Sequence, residues 1–302
     1  MTRCRRRRLC IVTSAVMMLS AAAGRALPPV TQRLAIALDG SAVTTSGSAV
    51  EGLLVEAWID QATVEGGAQT LTPYSSSAKP GYLSGVLFPG QRTHSIVTWD
   101  GSANQCLWLD QDEYFHKGRN LDIEHYTWFV VMKCNRVDAT LGLLENYFFS
   151  DHHGSSMVAG GVARSYYLDS NDDIRLDTSG IQAGTWYILS CVLNAGRQAR
   201  NGQLARAFTQ FVMTEAGERS APVSLAVGTS NDTMLHYATA VGAKVVDRSF
   251  PPRPISTTSF DGAMAEVLIY TDCLLETDRL AVESYLYEKY FGKEYGPAMM
   301  VR

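Results

Sequence analysis

The densest chemistry in this chain sits at Asp151-His152-His153-Gly154, which follows the aromatic run Tyr147-Phe148-Phe149 and sets two imidazoles and a carboxylate at a loop beside a strand. Imidazoles bind transition metals or donate hydrogen bonds to sugar hydroxyls. Adjacent histidines point in different directions, so this pair alone does not make a metal site. Hydrogen bonding to a polar ligand is the chemistry left. Exposed aromatic rings supply the other half of such recognition, because a ring face stacks on the apolar face of a pyranose while polar groups take its hydroxyls. Tyr74, in the Ser-rich stretch 70–81, and Tyr166 or Tyr167, beside a hairpin, read as exposed rings, while Trp108 stays open between core and surface and is kept as a candidate. The candidate ligand-binding set is therefore Tyr74, Trp108, Asp151, His152, His153 and Tyr167.

Other constellations carry less. Asn171, Asp172 and Asp173 offer the oxygen ligands calcium takes, at the polar tip of a hairpin formed by 164–169 and 174–177. No D-x-[DN]-x-[DN]-G loop accompanies them, and a hairpin turn uses the same residues, so both uses stay open. Asp173, Arg175 and Asp177 alternate with Ile174 and Leu176, the pattern of a half-exposed strand with charges paired along its outer face. Two carboxylates flanking a scissile bond would mark a glycosidase. The closest sequence, Asp122-Ile123-Glu124, lacks the outer glutamates of the E-x-D-x-x-E pattern. The chain has no G-x-S-x-G elbow, no phosphate-cradling glycine motif and no C-x-x-C or C-x-x-H spacing.

The elements that must hold these residues are strands. Short apolar or alternating runs separated by Gly, Asn, Asp, Ser and Pro clusters describe a β-sandwich, and nothing between Leu34 and Gly292 reads as an interdomain linker. Residues 1–26 read as a secretory signal peptide: Arg3 and Arg5 to Arg8 form a basic start, Leu9 to Ala23 an apolar run, and Gly24-Arg25-Ala26 a small-residue cleavage region. Residues 27–302 then form one domain with its core at about 33–292, secreted or cell-surface, with no stable membrane insertion after cleavage. The whole chain has 26 Lys and Arg against 30 Asp and Glu, and the leader holds six of the arginines, so the mature part carries a net charge near −10. That balance excludes nucleic acid and other polyanions as general partners and leaves neutral glycans open. Of the four cysteines outside the leader, Cys134 and Cys191 lie late in two long apolar strands; a disulfide between them and a pair of buried free thiols are both open.

The stretch Phe260 to Gly292 joins a strand apolar on both sides, with Met264, Val267 and Ile269, to an amphipathic helix. Its spacing puts Val282, Tyr285, Leu286 and Tyr290 on the packed face and turns Arg279, Glu283 and Glu288 away, with Gly292 as C-terminal cap. This stretch, FDGAMAEVLIYTDCLLETDRLAVESYLYEKYFG, resembles the end of the LamG-like jelly rolls of the concanavalin A-like lectin/glucanase superfamily. Trp58-Ile59-Asp60-Gln61, Val97-Thr98-Trp99-Asp100-Gly101, Thr127 to Lys133 and Gly184 to Asn194 resemble earlier elements of that family in the same order, so the resemblance spans about Arg33 to Gly292. Leu275 stands where the family has a Ser or Thr helix cap, and Cys273 where a small apolar residue is usual.

The resemblance implies an all-β fold, a two-sheet antiparallel β-sandwich of jelly-roll, concanavalin A-like type with a short C-terminal helix. With the secreted, acidic composition it implies a non-catalytic carbohydrate-binding or adhesion module, whose partner is a neutral glycan or glycoconjugate and whose one candidate cofactor is calcium. A glycan-cleaving enzyme, hydrolase or lyase, and a structural or protein-binding surface module are the alternatives on the same fold.

Overall fold

A computed structural model describes residues 27–48, 52–62, 70–102, 105–109, 125–147, 152–168, 173–194, 207–227, 238–243 and 256–292. Antiparallel strands build two layers. One layer runs β11 (Asp173–Ser179), β10 (Val162–Leu168), β9 (His152–Ala159), β8 (Thr140–Tyr147), β15 (Ala238–Val241), β6 (Leu107–Leu109), β3 (Thr70–Pro73) and β2 (Gly52–Asp60). The order continues into the other layer through β4 (Gly81–Leu87), β5 (Thr93–Asp100), β16 (Asp261–Tyr270), β7 (His125–Cys134), β12 (Trp186–Asn194), β13 (Ala207–Thr214) and β14 (Val223–Ala226). The expected two-sheet jelly-roll sandwich is what the chain forms.

The long strand β1 (Leu34–Ser48) belongs to both layers. Leu34 to Asp39 pair with β16, Val43 to Ser48 pair with β2, and a register shift between Leu38 and Val43 marks the passage from one layer to the other. Such irregularities bend a strand at a sheet corner. Buried Asp60 secures this corner, accepting hydrogen bonds from the Ala37 and Ala62 amides at 2.8 Å each.

Three strands are apolar on both faces because the molecule has a third layer. Along β7, Tyr126, Trp128, Val130, Met132 and Cys134 enter the core between the sheets, while Phe129 and Val131 face helix α1 (Glu276–Phe291). On β12, Tyr187, Leu189, Cys191 and Leu193 divide from Trp186 and Ile188 in the same way. On β16 a register shift between Met264 and Glu266 interrupts the alternation, which is why Met264, Val267 and Ile269 share the inner core. Trp58, Trp99, Trp128 and Trp186 are all core residues.

Helix α1 lays Val282, Leu286, Tyr287, Tyr290 and Phe291 on the outer face of that sheet. Leu275 at its start makes no side-chain cap, and Glu276 and Asp278 in the first turn complement the helix dipole instead. Gly292 ends it at φ 70°, its amide bonded to the Glu288 carbonyl. Gly90, in the turn between β4 and β5, packs so closely on this end that a Cβ would lie 2.2 Å from the Phe291 carbonyl carbon. From the same hairpin the Arg92 guanidinium donates to the Glu288 carbonyl (3.1 Å) and the His94 ring to that of Lys289 (2.8 Å), tying the hairpin to carbonyls of the last helical turn.

One expectation fails here. Arg279 and Glu283 do not face solvent; they are 3% and 1% exposed, because Ser190 of β12 and Arg219 of the turn after β13 pair with Glu283, and the Arg279 guanidinium lies 3.7 Å from the Phe211 ring centre. Glu288 does face outward. Of the two readings open for Cys134 and Cys191, buried free thiols are what the structure holds. Cys191 sits opposite Trp128, six residues along β7 from Cys134, about 20 Å at strand rise and far beyond disulfide reach. All four described cysteines are buried thiols outside any disulfide, and burial pushes the Cys134 thiol up to about 12. Native protein is therefore expected to resist alkylation by iodoacetamide at Cys106, Cys134, Cys191 and Cys273 and to be labelled at all four once unfolded; fast labelling of them without denaturant contradicts this packing.

Candidate functional site

The layer carrying β3, β6 and β8 to β11 keeps its inner side apolar and leaves its outer side uncovered by helix α1, so the outer side is where a binding surface can be built. Its inner row is Leu107, Val241, Leu144, Ser156, Ser165 and Leu176, all buried. One position along each strand the pleat reverses, and a second row crosses seven strands: Thr72, Trp108, Ala240, Glu145, Ser155, Tyr166, Arg175. Trp108 and Tyr166 are half-buried and Arg175 is exposed. Strand spacing puts Trp108 and Tyr166 about 20 Å apart, four strands away from each other.

The Trp108 end rests on a small apolar cluster of Cys106, Ala240 and Ala243 with Tyr74 packed against it. The Tyr74 amide bonds to the Cys106 carbonyl at 2.9 Å, which ties the chain after β3 to the start of β6. At the Tyr166 end, two arginines converge on one carboxylate. Arg175 donates from Nε to Asp177 Oδ1 (2.8 Å) and from a terminal nitrogen to Oδ2, and Arg164 Nε lies 3.4 Å from Oδ1. The hydrogen bond from Arg175, opposed by partial burial and aided by the charges of Arg175 and Arg164, holds the Asp177 carboxyl below its ordinary range. A group with a depressed pKa keeps its contribution above its unfolded value and loses it as pH falls through the folded one, so this trio is intact at neutral pH and loosens in acid. A flat ring at each end and a fixed set of guanidinium donors make a surface that can stack on a ligand and hydrogen-bond to it.

Each sequence candidate has a place relative to this row. Tyr74, just after β3, and Trp108, on the neighbouring β6, lie at one end of it. His152 and His153 are not in a loop but open β9, with His152 opposite Tyr147; the ladder with β8 extends the strand one turn earlier than the polar sequence suggests. Tyr167 pairs with Ile174 on β10 and Asp173 opens β11 opposite Leu168. Asp151, Asn171, Asp172, Asp122 and Glu124, like residues 1–26 read as a signal peptide, lie outside the described residues. No group of three metal-ligating side chains occurs among the described residues. Arg164, Tyr166 and Asp177 were not singled out as a binding set; strand alternation places them on one side, but only the register with β9 adds Trp108 to it.

No protein-family model and no curated protein matches the chain. Solved structures do share its fold. A Trypanosoma rangeli sialidase in complex with sialic acid is similar at a TM-score of 0.50 and 10% identity over 87% of this chain and 34% of that one. The receptor-binding domain of botulinum neurotoxin C/D mosaic serotype matches at 0.47 and 9%, over 86% of this chain and 52% of that one. The Ruminococcus gnavus sialidase CBM40 bound to α2,3-sialyllactose matches at 0.44 and 15%, over 62% and 95%. The chain thus spans about half the length of the toxin domain and a third of the sialidase. At 10% identity the likeness to the sialidase bears on the fold alone, and it agrees with the β-sandwich described above.

Proposed function

We propose that the protein is a secreted, non-catalytic carbohydrate-binding module of LamG-like jelly-roll type, made of one domain with its core at about 33–292. The outer row from Trp108 to Arg175 is its glycan platform. The observation that carries this reading is the row itself: two half-buried rings and a fixed pair of arginines share one sheet face. Rings on a rigid sheet lose little entropy when a sugar stacks on them. The sialidase of the same fold holding sialic acid supports a glycan as the ligand class. Asp177 already engages both arginines, and the mature chain is acidic, so the preferred ligand is a neutral glycan. The basic, apolar leader supports export to the cell surface or beyond.

A glycan array probed with the secreted form, with and without calcium, tests this. Binding to neutral glycans is expected, and Trp108→Ala and Tyr166→Ala should each weaken it at least about tenfold, ~1.4 kcal/mol. Selective capture of sialylated glycans would move the ligand class toward acidic sugars. Cleavage of an arrayed glycan would replace the module with an enzyme, and wild-type affinity in both variants would remove this face from the proposal.

A further inference from the structure

We infer that Gln210 is a positioning residue for the glycan platform, setting the register of β10 and β11 from behind the sheet. Gln210 belongs to β13 in the opposite layer and is 1% exposed. Its amide nitrogen donates to the Ala163 carbonyl (3.0 Å) and to the Thr178 hydroxyl (2.7 Å), and its oxygen accepts from the Ser165 hydroxyl (2.6 Å). Every polar valence of one side chain but a lone pair is thereby spent on β10 and β11. Ser165 and Thr178 are themselves 1% and 5% exposed, so no water competes for these bonds.

The consequence for the face follows from the pleat. Ala163 and Ser165 point inward, and between and after them Arg164 and Tyr166 point outward; Thr178 points inward beside Asp177. Holding the three inner positions fixes the three outer ones. β11 ends the strand order, so the β10–β11 hairpin has a ladder only on its β9 side, and an edge hairpin is where register is least constrained. A slip of one residue against β9 would turn Arg164 and Tyr166 into the core and leave the buried Gln210 amide without partners, a state that burial penalises heavily. An apolar residue at 210 would fill the space without selecting one register. The amide discriminates, because its donors and acceptor match one alignment only.

This rests on the glycan reading, and the experiment separates the two. Hydrogen exchange of the secreted chain is followed by mass spectrometry for Gln210→Leu, which keeps the volume, and for Thr178→Val, which removes one acceptor and keeps the shape. In Gln210→Leu, amides of 163–166 and 173–178 should exchange about tenfold faster or more while those of β7 and β16 keep wild-type protection. Thr178→Val should show a smaller change in the same segments, and it decides the matter if the first variant does not fold. On glycans bound by wild type, Gln210→Leu should weaken binding about tenfold with the same glycan preference. Exchange unchanged at 163–166 and 173–178, or raised equally across β7 and β16, overturns the positioning role. If wild type binds no glycan, the platform fails and the exchange result still decides what Gln210 does.

Discussion

Lys289→Met is expected to cost about 3–5 kcal/mol of stability, because it strands two carboxylates beneath helix α1. The Lys289 ammonium bonds to Asp39 of β1 and Glu266 of β16 at 2.6 Å each and to the Tyr285 hydroxyl at 3.2 Å, and Tyr290 donates to Glu266 at 2.7 Å. One lysine thus joins the helix to the strand that spans both layers and to its neighbour. The Glu266 side chain is 4% exposed and cannot recover water if its cation is removed. For a chain of this size the loss is roughly 10 °C in thermal midpoint. Adding Glu266→Gln to Lys289→Met should recover part of it, since the amide carries no unpaired charge.

The same cluster fixes the pH dependence. Burial pushes the Asp39 carboxyl up, but Lys289 and Ser41 outweigh it and the net shift is down; that contribution is present above 3.8 and lost as pH falls through the lower folded value. Burial opposes the charge on Lys289, but Glu266 and Asp39 outweigh it and raise its pKa; that contribution is complete below 10.5 and lost as pH rises through the higher folded value. Glu266 runs the other way, its pKa raised by burial above 4.5, so its ionised form relies on the lysine. Thermal midpoints measured from pH 3 to 11 should fall at both ends in wild type; in Lys289→Met the alkaline fall should be reduced but not abolished, because burial also holds the Tyr270 and Tyr290 hydroxyls neutral and their ionisation in the unfolded chain costs stability as pH rises.

Glu283→Leu is the second large effect, also about 3–5 kcal/mol. Glu283 Oε1 accepts from Arg279 at 2.6 Å and from Ser190 at 2.7 Å, and its other oxygen accepts from Arg219. The Arg279 side chain is 4% exposed, and its remaining acidic contact, the exposed Glu276, is 3.9 Å away. Removing Glu283 alone leaves a guanidinium buried against Phe211 with little to balance it. Arg279→Met combined with Glu283→Leu should be markedly more stable than Glu283→Leu, because Arg219, 18% exposed, can turn to water. Urea midpoints of the two variants give the comparison, and equal midpoints would mean that the buried guanidinium is not the source of the loss.

These two clusters show where the sequence was legible and where it was not. Phe260 to Gly292 announces a two-sided strand and a closing helix, since both of its neighbours are apolar layers and its apolar residues need no partner of particular chemistry. Arg279 and Glu283 read as solvated because the groups that neutralise them, Arg219 and Ser190, lie 64 and 93 residues from Glu283 in sequence. The choice between a Cys134–Cys191 disulfide and free thiols stayed open in the sequence for a related reason: the two long strands are neighbours, and only their register separates the thiols. Tyr74 and Trp108 could be named from ring type and loop composition. The row joining Trp108 to Tyr166 and Arg175 could not, because it depends on six strand pairings and on register shifts between Gly142 and Leu144 and between Glu145 and Tyr147. Strand alternation assigns each residue to a side; only pairing assigns it to a row.

The most direct measurement is photo-crosslinking with an array-selected glycan carrying a diazirine, with the labelled peptides of the protein identified by mass spectrometry. Label is expected in peptides covering 105–109, 155–168 and 173–179, and it should fall in the Trp108→Ala and Tyr166→Ala variants. Label confined to the β4–β5 hairpin, 81–100, or to helix α1, 276–292, would place binding on the opposite layer and contradict the platform.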